Sequence, residues 1–204
     1  MINNILDKLD LVVPNPKCEL EYNKDYELLI ATVLSAQSTD KRVNIVTKEL
    51  FNNYSLYDLA NIDIKKLEDI IKPVGTYNRK SIYIKDIANR LIKDYDGIVP
   101  NDRSYLESLP GVGRKTTNVV LYELYNVPTI AVDTHVMRVS KRLGLSKKND
   151  NVLTIEKKLM KKFPKDKWGK IHQQLVLFGR YTCKSIKPNC AICPFNDECR
   201  YKQL

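Results

Sequence analysis

The sequence predicts an all-α protein of two helical lobes, on three observations. Apolar residues recur at helical spacing through most of the chain, turns bearing Pro or Gly separate those stretches, and no period-two alternation runs long enough for a strand. At ordinary helix lengths and with tight connections, this amounts to about ten helices.

From Asp25 to Ala36, Tyr26, Leu29, Ile30, Val33 and Leu34 fall at helical spacing. Similar stripes run from Asp40 to Phe51, where Asp40 is expected to cap the helix, and from Asn78 to Ile92. Lys72-Pro73-Val74-Gly75 and Asp96-Gly97-Ile98-Val99-Pro100 are the turns around the last of these. Ser104 and Glu107 have the spacing of a capping box opening a short helix. Leu109-Pro110-Gly111-Val112-Gly113 then interrupts, and a helical pattern resumes at Arg114. Beyond Asn126-Val127-Pro128, the apolar run Thr129-Ile130-Ala131-Val132 leads to Asp133, so a lobe boundary is expected near Pro128. A junction between two helical lobes is a favoured place for a ligand.

At 204 residues and 43% hydrophobic content, the chain can bury roughly two thirds of the surface its unfolded form exposes. Thirty-four Lys and Arg against twenty-four Asp and Glu leave a net charge of +10, a field that gathers polyanions and makes nucleic acid the first partner to consider. Residues 1–13 do not form a signal peptide, and no apolar run approaches the roughly 20 residues that span a bilayer. The expectation is a cytoplasmic, prokaryotic monomer with no membrane partner. Cys18 stands apart from the other four cysteines and is expected in the core.

The stretch from Ser104 to Arg114 reads as helix, hairpin, helix. Gly111 and Gly113 flank Val112 and allow the backbone to approach a ligand, and the amides opening the next helix suit a phosphate oxygen. An ordinary helix–helix turn would carry the same Pro-Gly pair. Lys115 falls in the first turn of that helix, beside Arg114. A neutral lysine amine is a nucleophile that forms Schiff bases with the carbon of an opened sugar; its alternative role is one more phosphate contact. Asp133 precedes Thr134-His135-Val136 and is expected to cap a helix, and a carboxylate there could also stabilise positive charge developing on a sugar. Cys183, Cys190, Cys193 and Cys199 form a four-thiolate set with one close pair, a spacing that by itself suits zinc or an iron–sulfur cluster.

The string Leu109-Pro110-Gly111-Val112-Gly113-Arg114-Lys115-Thr116, followed by Val132-Asp133-Thr134-His135, resembles the active-site signature of the endonuclease III family of base-excision glycosylases. The resemblance implies that Lys115 attacks C1′ of the damaged nucleotide, that Asp133 assists, and that a lyase step follows base removal. Mismatch-specific relatives often carry tyrosine or serine at the lysine position. Leu34-Ser35-Ala36-Gln37-Ser38-Thr39-Asp40 resembles the family segment whose glutamine, here Gln37, fills the gap left by the extruded nucleotide. Thr76 stands where better-known members carry a wedging leucine, so Thr76 and Tyr77 are the expected contacts there. Gly111, Val112, Gly113 and Arg114 would hold the DNA backbone.

The resemblance also selects a 4Fe-4S cluster for the four cysteines, with Lys184 and Lys187 presented to phosphates on the loop it holds. It divides the chain into a six-helix barrel lobe over 19–129, with the helix-hairpin-helix at about 104–124, and a cluster lobe formed by 1–18 plus 130–204, with the active-site cleft between them. The implied partner is duplex DNA containing damaged bases, foremost oxidised pyrimidines, or abasic sites. The alternatives are a monofunctional mismatch or alkylated-base glycosylase and a non-catalytic DNA-binding module.

Overall fold

The computed structural model describes residues 2–203, with side chains over 4–201. The helices in chain order are α1 (Ile2–Val12), α2 (Asp25–Leu34), α3 (Asp40–Asn53), α4 (Leu56–Asn61), α5 (Ile64–Ile71), α6 (Tyr77–Tyr95), α7 (Arg103–Ser108), α8 (Arg114–Tyr125), α9 (Thr134–Arg142), α10 (Val152–Lys162) and α11 (Trp168–Tyr181). Among the described residues there is no strand, so the all-α expectation is met. No helix is long and apolar enough to cross a membrane among the described residues. The chain divides into two compact units, one of residues Cys18–Tyr125 and one joining the stretch up to Lys17 with that from Asn126 onward.

In the Cys18–Tyr125 unit, α2 has no polar face, and nine of its ten residues are buried. A helix apolar on every side has to be wrapped by others. Here α3, α6 and α8 pack on it, with α4 and α5 on α6 and α7 on α8. Leu28, Leu29, Ile30 and Leu34 are fully buried, each contributing about 1.5–3 kcal/mol of transfer free energy. The polar side chains of α2 are turned back on the backbone. Thr32 Oγ1 donates to the Leu28 carbonyl at 2.8 Å, and the Glu27 carboxylate accepts from the Asn23 and Lys24 amides at 2.7 and 3.2 Å.

Two expected caps fall elsewhere. The α3 cap is Thr39, whose Oγ1 accepts from the Arg42 amide at 3.4 Å, and Asp40 is the first helical residue. The α7 cap is Asp102, accepting from the Tyr105 amide at 3.1 Å, because an extended aspartate two residues upstream opens the helix before Ser104 is reached. Glu107 instead pairs with Arg103 at 2.8 Å. Cys18 is half-buried, outside the core in which it was expected.

The second unit has its own core, in which Ile5 and Leu9 of α1 meet Val136 and Val139 of α9, Ile155 and Leu159 of α10, and Ile171, Leu175 and Phe178 of α11. Gly179 allows the close approach of α9 and α11: a Cβ there would stand 2.9 Å from His135 Cβ. Polar contacts fasten α1 at the surface. Lys170 pairs with Asp10 at 2.6 Å, and Lys8 with Glu198 at 2.7 Å. The run from Thr129 to Val132 is buried and non-helical, and it delivers Asp133 to the start of α9.

Candidate active site

The hairpin is built tightly on one side and left open on the other. Leu109 is extended, as the residue before a proline must be, and its carbonyl accepts from the Val112 amide at 3.2 Å. Val112 itself is buried, so the side chain expected among the DNA contacts anchors the turn. Gly111 has φ +75°, and a Cβ there would lie 2.6 Å from Cδ2 of Tyr83 on α6. Gly113 has nothing within 4 Å of its Cβ position. Arg90 of α6 fixes the end of α7, donating to the Ser108 carbonyl and hydroxyl at 2.8 and 2.7 Å. The first internal bond of α8 runs from the Thr117 amide to the Gly113 carbonyl at 3.0 Å. The amides ahead of it therefore have no acceptor within the helix and sit at its positive end. Arg114 and Lys115 are exposed in that first turn.

Elsewhere in this unit, Gln37 and Thr76 are exposed in left-handed backbone, with φ 58° and 57°. Their turns adjoin, since a Cβ on Gly75 would stand 3.6 Å from the Gln37 carbonyl oxygen. Tyr77 is half-buried as the first residue of α6. Lys80 is buried, and its Nζ donates to the Leu34 and Ala36 carbonyls at 2.9 and 2.7 Å. Burial lowers its pKa.

In the other unit, Asp133 caps α9 as expected: its Oδ1 accepts from the Val136 amide at 2.8 Å. Burial pushes the pKa of His135 down, opposed by Asp133 and aided by the Arg138 and Arg180 charges. Arg138 donates to the Gly179 carbonyl at 2.7 Å and the Cys183 carbonyl at 3.1 Å. One turn later, Arg142 is buried and holds the loop after α11, donating to the Lys184 carbonyl at 2.7 Å and to Cys183 Sγ at 3.3 Å.

Cys183, Cys190, Cys193 and Cys199 all line one cavity, together with Arg142 and Tyr201. Burial raises the Cys193 thiol pKa, and the other three thiols add to that rise. Among the described residues, no three His, Cys, Asp or Glu are gathered as a site for a single metal ion. Lys184 and Lys187 are exposed on the loop between the first two cysteines.

Residues 30–165 match the HhH-GPD superfamily of base excision DNA repair proteins. Endonuclease III of Bacillus subtilis is 48% identical over 199 residues, spanning 97% of this chain and 91% of that protein. The chain is a member of the endonuclease III family. Endonuclease III of Escherichia coli K12 is 42% identical, over 98% of this chain and 94% of that protein. A trapped covalent endonuclease III–DNA intermediate, solved as an estranged-adenine complex, superposes with TM-score 0.94 at 46% identity, covering 100% of this chain and 97% of that one. A thermostable thymine-DNA glycosylase is more distant, with TM-score 0.84 at 25% identity over 99% and 94% of the two chains.

In this member of the family, the expected residues fall into groups. Gly111, Gly113, Arg114 and Lys115 form one exposed edge, Gln37 shares a neighbourhood with the Gly75-Thr76 turn, and the four cysteines share a cavity. Lys115 belongs to the Cys18–Tyr125 unit and Asp133 to the other. The sequence reading gave no part to Arg138 and Arg142, although two arginines four residues apart on the helix after Asp133 were a visible signal. Lys80, one basic residue among many in the sequence, is committed to the Leu34 and Ala36 carbonyls at the end of α2.

Proposed function

We propose that this protein excises damaged bases, foremost oxidised pyrimidines, from duplex DNA and cuts the strand 3′ to the resulting abasic site, with Lys115 as nucleophile and Asp133 as its carboxylate partner. As a member of the endonuclease III family it is a base-excision DNA glycosylase and AP lyase acting on damaged bases. The observation that carries the residue assignment is an exposed lysine in the first turn of the helix that follows the open Gly113 edge.

The chemistry follows from those groups. The Lys115 amine in its neutral form attacks C1′ and the base departs with its bonding pair and a proton; the C1′–O4′ bond of the resulting aminal then opens, O4′ taking up a proton, and the carbon is left as an iminium on the lysine. Loss of a C2′ proton then expels the 3′ phosphate, and water frees the lysine. Asp133 stabilises the positive charge that grows at C1′ and accepts a proton from the attacking amine. The opening amides of α8, with Gly111, Gly113 and Arg114, hold a backbone phosphate. Gln37 occupies the gap, with Thr76 and Tyr77 toward the opposite strand.

The four thiols fit a 4Fe-4S cluster: the donor set is four cysteines, all lining one cavity, with an arginine N–H directed at one sulfur. When bound, the cluster cross-links these thiolates. Lys184 and Lys187, on the loop that Arg142 also holds, contact phosphates.

Borohydride reduction on DNA with a preformed abasic site tests the central assignment. The intact protein is expected to form a covalent adduct that Lys115→Ala does not form. No adduct from well-folded protein that still releases bases would overturn the lyase role of Lys115.

A further inference from the structure

Lys80 is the one buried ammonium group in the Cys18–Tyr125 unit among the described residues, with 3% of its surface exposed. Its Nζ donates to two neutral carbonyls, those of Leu34 and Ala36 at 2.9 and 2.7 Å. Burying a charge among neutral groups costs stability, and an apolar side chain of similar length would fill the same space without that cost. What the charge adds is location. The last carbonyls of a helix lack partners within it and lie at its negative end, so an ammonium group there fixes where α2 stops and how the chain leaves it.

Beyond α2, Ser35 and Ala36 lead into Gln37, so the Ala36 carbonyl that Lys80 holds belongs to the residue just before it. The Lys80 amide donates to the Thr76 carbonyl at 3.1 Å, the ordinary bond opening α6, which any residue but proline makes there. Gln37 and Thr76 lead two adjoining turns in left-handed backbone at φ 58° and 57°. Strained backbone at non-glycine residues persists only where the surroundings over-determine it. Here the surroundings are Lys80 and the adjoining Gly75, whose Cβ position is 3.6 Å from the Gln37 carbonyl oxygen.

We propose that Lys80 is a positioning residue for nucleotide extrusion: through its side-chain bonds to the Leu34 and Ala36 carbonyls it holds Gln37 ready to enter the gap in the duplex. The proposal rests on the gap-filling reading of Gln37. A side chain held in its working conformation loses less freedom on insertion, so release of the turn slows extrusion and leaves the chemistry at C1′ alone.

The test is a double-mutant cycle with Lys80→Met and Gln37→Ala, read in two assays: single-turnover excision of an oxidised pyrimidine from duplex DNA at saturating protein, and borohydride trapping at a preformed abasic site. Lys80→Met should slow excision about tenfold or more, the effect of losing one well-placed hydrogen-bonded anchor, and leave trapping unchanged. Lys80→Arg, which keeps the charge and the donors, should recover most of the rate. In the Gln37→Ala background, Lys80→Met should cost nothing further. Amide hydrogen exchange in Lys80→Met should quicken at 35–38.

Equal losses in both assays, a full additional loss in the Gln37→Ala background, or unchanged exchange at 35–38 would each overturn the proposal. Should Lys80→Met not fold, Lys80→Gln is taken through the same cycle with the same expected pattern. An inert Gln37→Ala would remove the gap-filling reading and the Lys80 proposal with it. An impaired Gln37→Ala beside an unimpaired Lys80→Met would remove the Lys80 proposal alone.

Discussion

Asp133 closes the start of α9 with the same carboxylate to which we assign chemistry, and two substitutions separate those duties. Asparagine caps a helix nearly as well as aspartate but carries no charge, whereas alanine neither caps nor carries a charge. Asp133→Asn should therefore keep the thermal midpoint while base release falls steeply. Asp133→Ala should in addition lose about 1 kcal/mol of stability, seen in urea unfolding. If Asp133→Asn excises bases at the parent rate, Asp133 is a cap and nothing more. The residue scale is also where a sequence misleads most easily: Val112 sits between two exposed glycines, yet its side chain is buried.

At the scale of elements, the hairpin joins α7 to α8 over the surface of α6. Tyr83 lies beneath Gly111, and Arg90 is bound to Ser108. The two glycines answer to different demands. Gly111→Ala puts a Cβ into a left-handed residue and against the Tyr83 ring, and should cost roughly 1–3 kcal/mol of stability. Gly113→Ala meets open space and should leave the thermal midpoint unchanged or slightly raised, since alanine restrains the unfolded chain. If Gly113 is open because a DNA backbone approaches it, Gly113→Ala should still weaken binding to abasic-site duplex in a gel-shift titration. Parent-level binding by a stable Gly113→Ala protein would place the phosphate elsewhere.

For the molecule as a whole, the two units are stabilised by different means. Cys18–Tyr125 wraps a buried, mostly apolar helix, while the other unit combines an apolar core with a loop of thiols and basic residues hung on the buried Arg142. Thiolates crowded into one cavity repel one another unless a positive centre binds them, so loss of the cluster should lower the thermal midpoint. Elemental analysis of protein prepared without air should find iron and sulfide in equal amounts and no zinc. Zinc alone would replace the cluster with a structural ion. The +10 charge acts over the whole surface, drawing DNA of any sequence, and by itself favours no lesion.

Much of this was legible along the chain because it is written in local periodicity and spacing. Helical stripes gave α2, α3 and α6 to within a few residues, and the Leu109–Thr116 and Val132–His135 strings carried the family assignment. The Asp133 cap was also readable, since an N-cap interacts with amides only two or three residues away. Competing caps were harder, because Thr39 and Asp40, or Asp102 and Ser104, are all competent and the backbone path chooses between them.

What only the tertiary structure decided concerns partners distant in sequence. Lys80 looked like one charge among thirty-four until α6 was laid against the end of α2, and Arg142 until α9 was laid under the loop after α11. The charge of a lysine or arginine can be read from a sequence. Whether it is solvated on a surface or buried against particular carbonyls depends on which helices pack together, and that is settled by the burial of apolar faces the charge itself does not carry.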